Sequence, residues 1–162
     1  MLELGYGMCI RKLQELRRNK NKMITCIGSV FDTSGYSIHF RNLANALAKH
    51  TEVSIETNLP ENWQAQVNDS ELEMIKRESD GEINLIITNP INWRVFCNAK
   101  RNWVFGVFEG DKIQKHFLKE MLNKSIEYVF TPSEHCVSAI LKTIESLSEK
   151  ECKKILGEEY DN

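Results

Sequence analysis

Met23-Ile-Thr-Cys-Ile-Gly-Ser-Val-Phe-Asp-Thr-Ser-Gly-Tyr36, continued to His50 and then to Glu52-Val-Ser-Ile-Glu56, is the stretch that decides the fold. Met23 to Val30 is a short, β-branched, apolar run that ends near Gly28, the pattern of a buried strand. Asp32, Thr33, Ser34 and Gly35 are turn and cap residues. Tyr36, Phe40, Leu43, Ala44 and Leu47 then recur at helical spacing. Glu52 to Glu56 alternates as a second strand would. A strand, a tight loop, a helix and a strand make a βαβ unit.

The rest of the chain repeats that logic. Asn58 to Asp69, with Pro60 and Trp63, reads as a polar loop. Ser70-Glu-Leu-Glu73 matches a capping box, and a short helix is expected to about Arg77. Ile83 to Thr88 is a third buried strand, stopped by Asn89-Pro90. Ile91 to Arg101 fits a short helix or an ordered loop. Trp103 to Phe108 is expected as a fourth strand, ending at Glu109-Gly110-Asp111. Ile113, Phe117, Leu118, Met121 and Leu122 form one helical face. Tyr128-Val-Phe130 is a fifth strand. Thr131 is expected as the next N-cap, with Pro132 at the first helical position and Glu134 as the box acid. The tail from Ser146 is polar, with Leu147, Ile155 and Leu156 fitting one more helix or a frayed end. Alternating strands and helices predict an α/β fold, a doubly wound parallel sheet of the Rossmann-like kind in a single domain.

Composition narrows the function classes. A chain of 162 residues fits one domain. The formal net charge of −2 argues against electrostatic binding to nucleic acid. Residues 1–22 form a basic leader carrying Arg11, Lys12, Arg17, Arg18, Lys20 and Lys22 against Glu3 and Glu15. A basic amphipathic leader admits contact with an anionic membrane surface, although a solvated covering helix is the plainer reading. The five cysteines form no CxxC pair and no zinc-like spacing with histidine. Their odd number and scatter suggest a reducing, cytoplasmic compartment. The domains are therefore expected as leader 1–22, sheet domain 23–144 and polar tail 145–162.

Ligands in such sheets sit at the carboxyl ends of the strands. That places Gly28 to Tyr36, Thr88 to Pro90, Glu109 to Asp111 and Thr131 to His135 around one crevice. The loop from Gly28 to Gly35 leads straight into a helix, whose N-terminus favours an anionic group. A well-capped helix start without a ligand accounts for it equally. The spacing is not GxGxxG, and Glu56 stands too far on for the ribose-binding acid expected about 20 residues after that motif, so a standard NAD site is not expected. Glu109 and Asp111 could bind sugar hydroxyls, hold a metal or act as a base; alternatively, Asp111 caps the following helix. Arg41 could reach a phosphate, though a surface ion pair fits as well. His39, His116 and Glu134 have plain surface or capping explanations. No nucleophile paired with a base is identifiable.

Four segments carry a resemblance to a known family: Gly28-Ser-Val-Phe-Asp-Thr-Ser-Gly-Tyr36 with Arg41-Asn-Leu-Ala44; Ile86-Ile-Thr-Asn-Pro90; Val107-Phe-Glu-Gly-Asp111; and Thr131-Pro-Ser-Glu134. From about Met23 to Thr143 the chain resembles the N-terminal, acceptor-side domain of retaining GT-B glycosyltransferases of the family-four group. The resemblance implies one half of a GT-B architecture that takes a nucleotide-sugar as donor and a glycan, lipid or small-molecule acceptor, with no metal. It implies that Gly28, Ser34, Gly35, Tyr36, Arg41, Asn89, Ser133 and Glu134 line the donor-phosphate and acceptor edge, with Glu109 and Asp111 as catalytic residues.

It also implies a further strand and a donor-binding domain after Thr143, where this sequence turns polar and stops at Asn162. The expectation is accordingly a half-enzyme: a truncated product, an excised domain, or one subunit completed by a separate donor-binding subunit or by a second copy. A non-catalytic binding or interaction module on the same fold is the alternative.

Overall fold

The structure, a computed structural model, describes residues 23–59, 67–98 and 100–156. The basic leader 1–22, most of the polar loop expected around Pro60 and Trp63, and the last six residues lie outside the described residues. The elements run β1 (Ile24–Gly28), α1 (Gly35–Ala48), β2 (Val53–Glu56), α2 (Asp69–Lys76) and β3 (Ile83–Ile87). A 3-10 turn (Pro90–Asn92) and α3 (Trp93–Phe96) follow. The chain continues through β4 (Arg101–Phe105), α4 (Lys115–Met121), β5 (Ile126–Phe130), α5 (Glu134–Glu145) and α6 (Glu149–Leu156).

All four strand pairings are parallel, in the order β2-β1-β3-β4-β5. The expected α/β fold with a doubly wound, Rossmann-like parallel sheet is what the chain adopts. The alternation of each strand divides two cores between the two faces. Ile24 and Cys26 of β1, with Leu85 and Ile87 of β3, meet Phe40, Ala44 and Leu47 of α1 and Met74 of α2. Ile27, Ile86 and Val104 on the other face meet Trp93, Leu118 and Met121, together with Cys136, Ala139 and Ile140 of α5. Helices on both faces explain why the strands read as continuous apolar runs. Burial of the Cys26 thiol pushes its pKa up to about 12, as expected of a small core hydrophobe.

One row of the sheet breaks that apolar rule. Thr25, Ser54, Asn84 and Asn102 lie side by side in register and are all buried. Ser54 Oγ donates to Thr25 Oγ1 at 3.1 Å and Asn84 Nδ2 to Asn102 Oδ1 at 3.1 Å. Paired to one another, these groups escape the penalty of unsatisfied burial.

Two caps and two strands fall elsewhere than the sequence pattern puts them. The box before α2 is Asn68 with Glu71, not Ser70 with Glu73: Asn68 Oδ1 accepts from Glu71 N at 2.9 Å and Glu71 Oε2 from Asn68 N at 3.1 Å. Glu71 also accepts from Asn45 Nδ2 of α1 at 3.0 Å, which ties the cap to tertiary packing. Before α5 the N-cap is Ser133 rather than Thr131, accepting from Cys136 N, and Glu134 is the first helical residue. Strand β4 stops at Phe105, short of the expected Phe108. A Cβ on Gly106 would lie 2.8 Å from the Phe108 ring and 3.0 Å from Trp93, so glycine lets Phe108 fold back into the second core. Strand β5 begins at Ile126, two residues before the expected Tyr128.

Candidate functional site

The strand order reverses direction between β1 and β3, and in open parallel sheets the carboxyl ends of the strands at such a switch point are where ligands bind. The loop after β1 is organised by its own side chains. Ser29 Oγ donates to Asp32 Oδ2 at 2.7 Å, and Ser34 N donates to Asp32 Oδ1 at 2.8 Å. Ser34 caps α1 by accepting from Ser37 N at 3.3 Å, while Ser37 Oγ donates to Ser29 O at 3.0 Å. Hydrogen bonds from Ser34, Ser29 and Ser37 hold the Asp32 carboxyl far below the usual carboxylate range. Among the described residues Arg41 has no ion-pair partner. Its Nη1 donates to Val30 O and, at 3.3 Å, to Asp32 O, so it braces the loop from beneath.

This arrangement sorts the glycines. A Cβ on Gly28 would stand 2.5 Å from Ile87 O and 2.8 Å from Phe40, so this glycine serves the close approach of β1, β3 and α1. A Cβ on Gly35 would meet nothing within 4 Å. Gly35 therefore borders open space, with Asp32 beside it already supplying a negative charge at the positive end of the α1 dipole.

Asn89, after β3, accepts from Ile91 N at 3.2 Å and so caps the 3-10 turn, while Trp93 Nε1 donates to Thr88 O at 3.1 Å. After β4, Glu109 and Asp111 are exposed. Asp111 does not cap the next helix: α4 begins at Lys115 behind Gln114, whose side chain makes no capping bond. Ser133 is occupied as the α5 cap, and Glu134 is exposed in its first turn.

Two contacts bring separate segments together. Tyr36 donates its hydroxyl to Val107 O at 3.4 Å, joining α1 to the loop after β4. His135 Nε2 lies 3.4 Å from Glu109 O, joining that loop to α5. Cys136 Sγ adds a contact to Phe108 O at 3.3 Å. Half-burial raises the Tyr36 phenol above its ordinary range, so it remains a protonated donor. Of the residues expected at the site, Tyr36 and Glu109 are thus linked through the loop backbone. Arg41 and Asn89 are spent on local structure. Asp32 was legible only as a turn residue, and nothing in the sequence singled out Cys136.

A groove of about 510 Å³ lies at the opposite, amino end of the strands, lined by Met23, Glu52, Arg77, Glu78, Asp80, Gly81 and Glu82. Arg77 Nη1 donates to Val53 O there at 2.9 Å, and the remaining charges are acidic, which does not suit a phosphate. Among the described residues, no group of three or more His, Cys, Asp and Glu is placed to hold a metal ion. The described cysteines Cys26, Cys97, Cys136 and Cys152 are free thiols. No described helix is long and apolar enough to cross a membrane. Comparison of the chain with protein-family models, curated proteins and solved structures finds no match.

Proposed function

We propose that this chain is the acceptor-side half of a glycosyltransferase that uses a nucleotide-sugar donor. The carboxyl-end crevice receives the acceptor, and Glu109, with Asp111 behind it, meets acceptor hydroxyls or transition-state charge. What supports the reading is the meeting of the loops after β1, β4 and β5 through Tyr36, Val107, Glu109 and His135. These loops hold three of the four segments that carry the family resemblance. Asp32 refines it. A carboxylate already resting on the start of α1 repels a phosphate and accepts hydroxyl donors, which favours the acceptor edge for Ser34, Gly35 and Tyr36. The donor diphosphate is held from across the crevice by another domain, a separate subunit or a second copy. The protein works in the cytoplasm under this reading, with its basic leader available to the inner membrane face.

The test is nucleotide release by the purified chain from UDP-, GDP- and ADP-sugars, with products read by mass spectrometry. Gly35→Val and Glu109→Ala are compared with wild type; both positions border solvent and should leave the fold intact. Release that both substitutions abolish is the expected outcome. Release that survives both overturns it; no release from any donor means an orphan half-enzyme or a binding module and moves the search to the donor-binding partner.

A second reading, a non-catalytic interaction module, is favoured by one observation. Strand β5 is the sheet edge, its Tyr128 and Phe130 are only half-buried, and Leu141 and Ile144 of α5 are 43% and 37% exposed. Such an apolar margin suits another polypeptide. Sedimentation of a dimer that Leu141→Asp dissociates, together with no nucleotide release from any donor, would shift support to this reading; a monomer at all concentrations would remove it.

A further inference from the structure

Three consecutive carbonyls of the loop after β4 each meet a side chain from a different residue. Val107 O accepts from the Tyr36 hydroxyl at 3.4 Å, Phe108 O from Cys136 Sγ at 3.3 Å, and Glu109 O faces His135 Nε2 at 3.4 Å. These partners stand 71, 28 and 26 residues away in sequence, on the two helices that flank the loop. The last sheet bond before the loop is Gly106 N to Phe130 O at 2.9 Å. Beyond it the backbone has left the ladder and needs other partners. The Phe108 ring, 6% exposed, anchors the loop in the core between Trp93 and Phe117.

We infer that Tyr36, Cys136 and His135 are positioning residues that hold Glu109 at the crevice by clamping these three carbonyls. The assignment rests on the reading of Glu109 as the functional carboxylate. Each contact is long or sulfur-based, hence weak alone. Together they fix three successive peptide planes, where a single bond would leave a hinge beside Glu109. A carbonyl oxygen only accepts, so this contact is a hydrogen bond in the tautomer with the proton on His135 Nε2. Because Tyr36 follows Gly35 directly, the clamp also ties the start of α1 to the Glu109 loop. A group so held approaches a reacting centre with little reorganisation.

Backbone NMR of the whole chain tests the clamp without any nucleotide. Tyr36→Phe should move the carbonyl carbon resonance of Val107, and His135→Ala that of Glu109, each with little change at the other. The double variant should speed amide exchange at residues 109–111 by about tenfold, as expected for losing two weak bonds, with exchange in β1 and β3 unchanged. His135→Gln, which keeps a donor, should restore most of the protection. In the release assay the double variant should lower kcat with little change in KM. Unmoved carbonyl resonances, or faster exchange throughout the sheet, overturn the inference. Should the double variant fail to fold, Tyr36→Phe alone still decides it through Val107. Nucleotide release that survives Glu109→Ala with these NMR effects intact would count against the transferase reading and not against the clamp.

Discussion

The loop after β1 and the loop after β4 leave the sheet at the same end, yet they are held by opposite means. Ser29, Asp32, Ser34 and Ser37 bind one another within eight residues, and Arg41 reaches back from the same helix. That loop carries its own scaffold. The loop after β4 is held instead from other elements, by Tyr36, Cys136 and His135 around Glu109 and by Thr143 at Ile113. The first should therefore stay ordered when its surroundings change, and the second should respond to them. Glu109 thus stands on the wall that neighbouring elements hold in place, facing one that holds itself.

The largest expected effect breaks the stiff wall at its root. Gly28→Ala forces a Cβ against the Ile87 carbonyl oxygen at 2.5 Å and should cost about 3 kcal/mol in urea unfolding. Gly35→Ala, seven residues later and facing open space, should be neutral or slightly stabilising. Equal costs at the two glycines would mean that the β1 loop is not organised as described.

Removing the cap comes next. Ser34→Ala should lose about 1 kcal/mol in the same assay, as helix caps do, since the Ser37 amide then loses its acceptor.

Asp32→Asn should cost less at neutral pH, about 0.5 kcal/mol, because the carboxylate is exposed and screened. Its signature lies in the pH dependence. The folded pKa is depressed, so the carboxylate's contribution is fully present above the unfolded value of about 3.9 and fades as the pH falls below it. The difference in melting temperature between wild type and Asp32→Asn should shrink on acidification below about pH 4. A gap that stays constant would show that the charge plays no part in holding the loop.

How much of this was legible differs by element. Strands β1 and β3 were plain because both faces are covered and their runs are continuously apolar. The end of strand β4 is hidden in the sequence because Trp103 to Phe108 carries no polar side chain. Only the packing of Phe108 against Gly106 and Trp93 shows where the ladder stops. The two misplaced caps share a cause. Asn68 and Ser70, like Thr131 and Ser133, are all able to cap, and the choice falls to neighbours such as Asn45 on α1. In the sequence Arg41 fits a phosphate ligand or an ion-pair partner equally, since spacing does not show that its guanidinium is occupied by Val30 O and Asp32 O.

The sequence by itself determined the parallel α/β sheet, the strand-to-helix turn at Ser34 and the polar character of the β1 loop. Those features rest on periodicity and on hydrogen bonds between residues a few positions apart, which spacing encodes directly. Only the tertiary structure decided the order β2-β1-β3-β4-β5, the different roles of Gly28 and Gly35, and the convergence of Tyr36, Cys136 and His135 on three adjoining carbonyls. Contacts between residues 26 to 71 positions apart exist only once the sheet has set the distances between its loops.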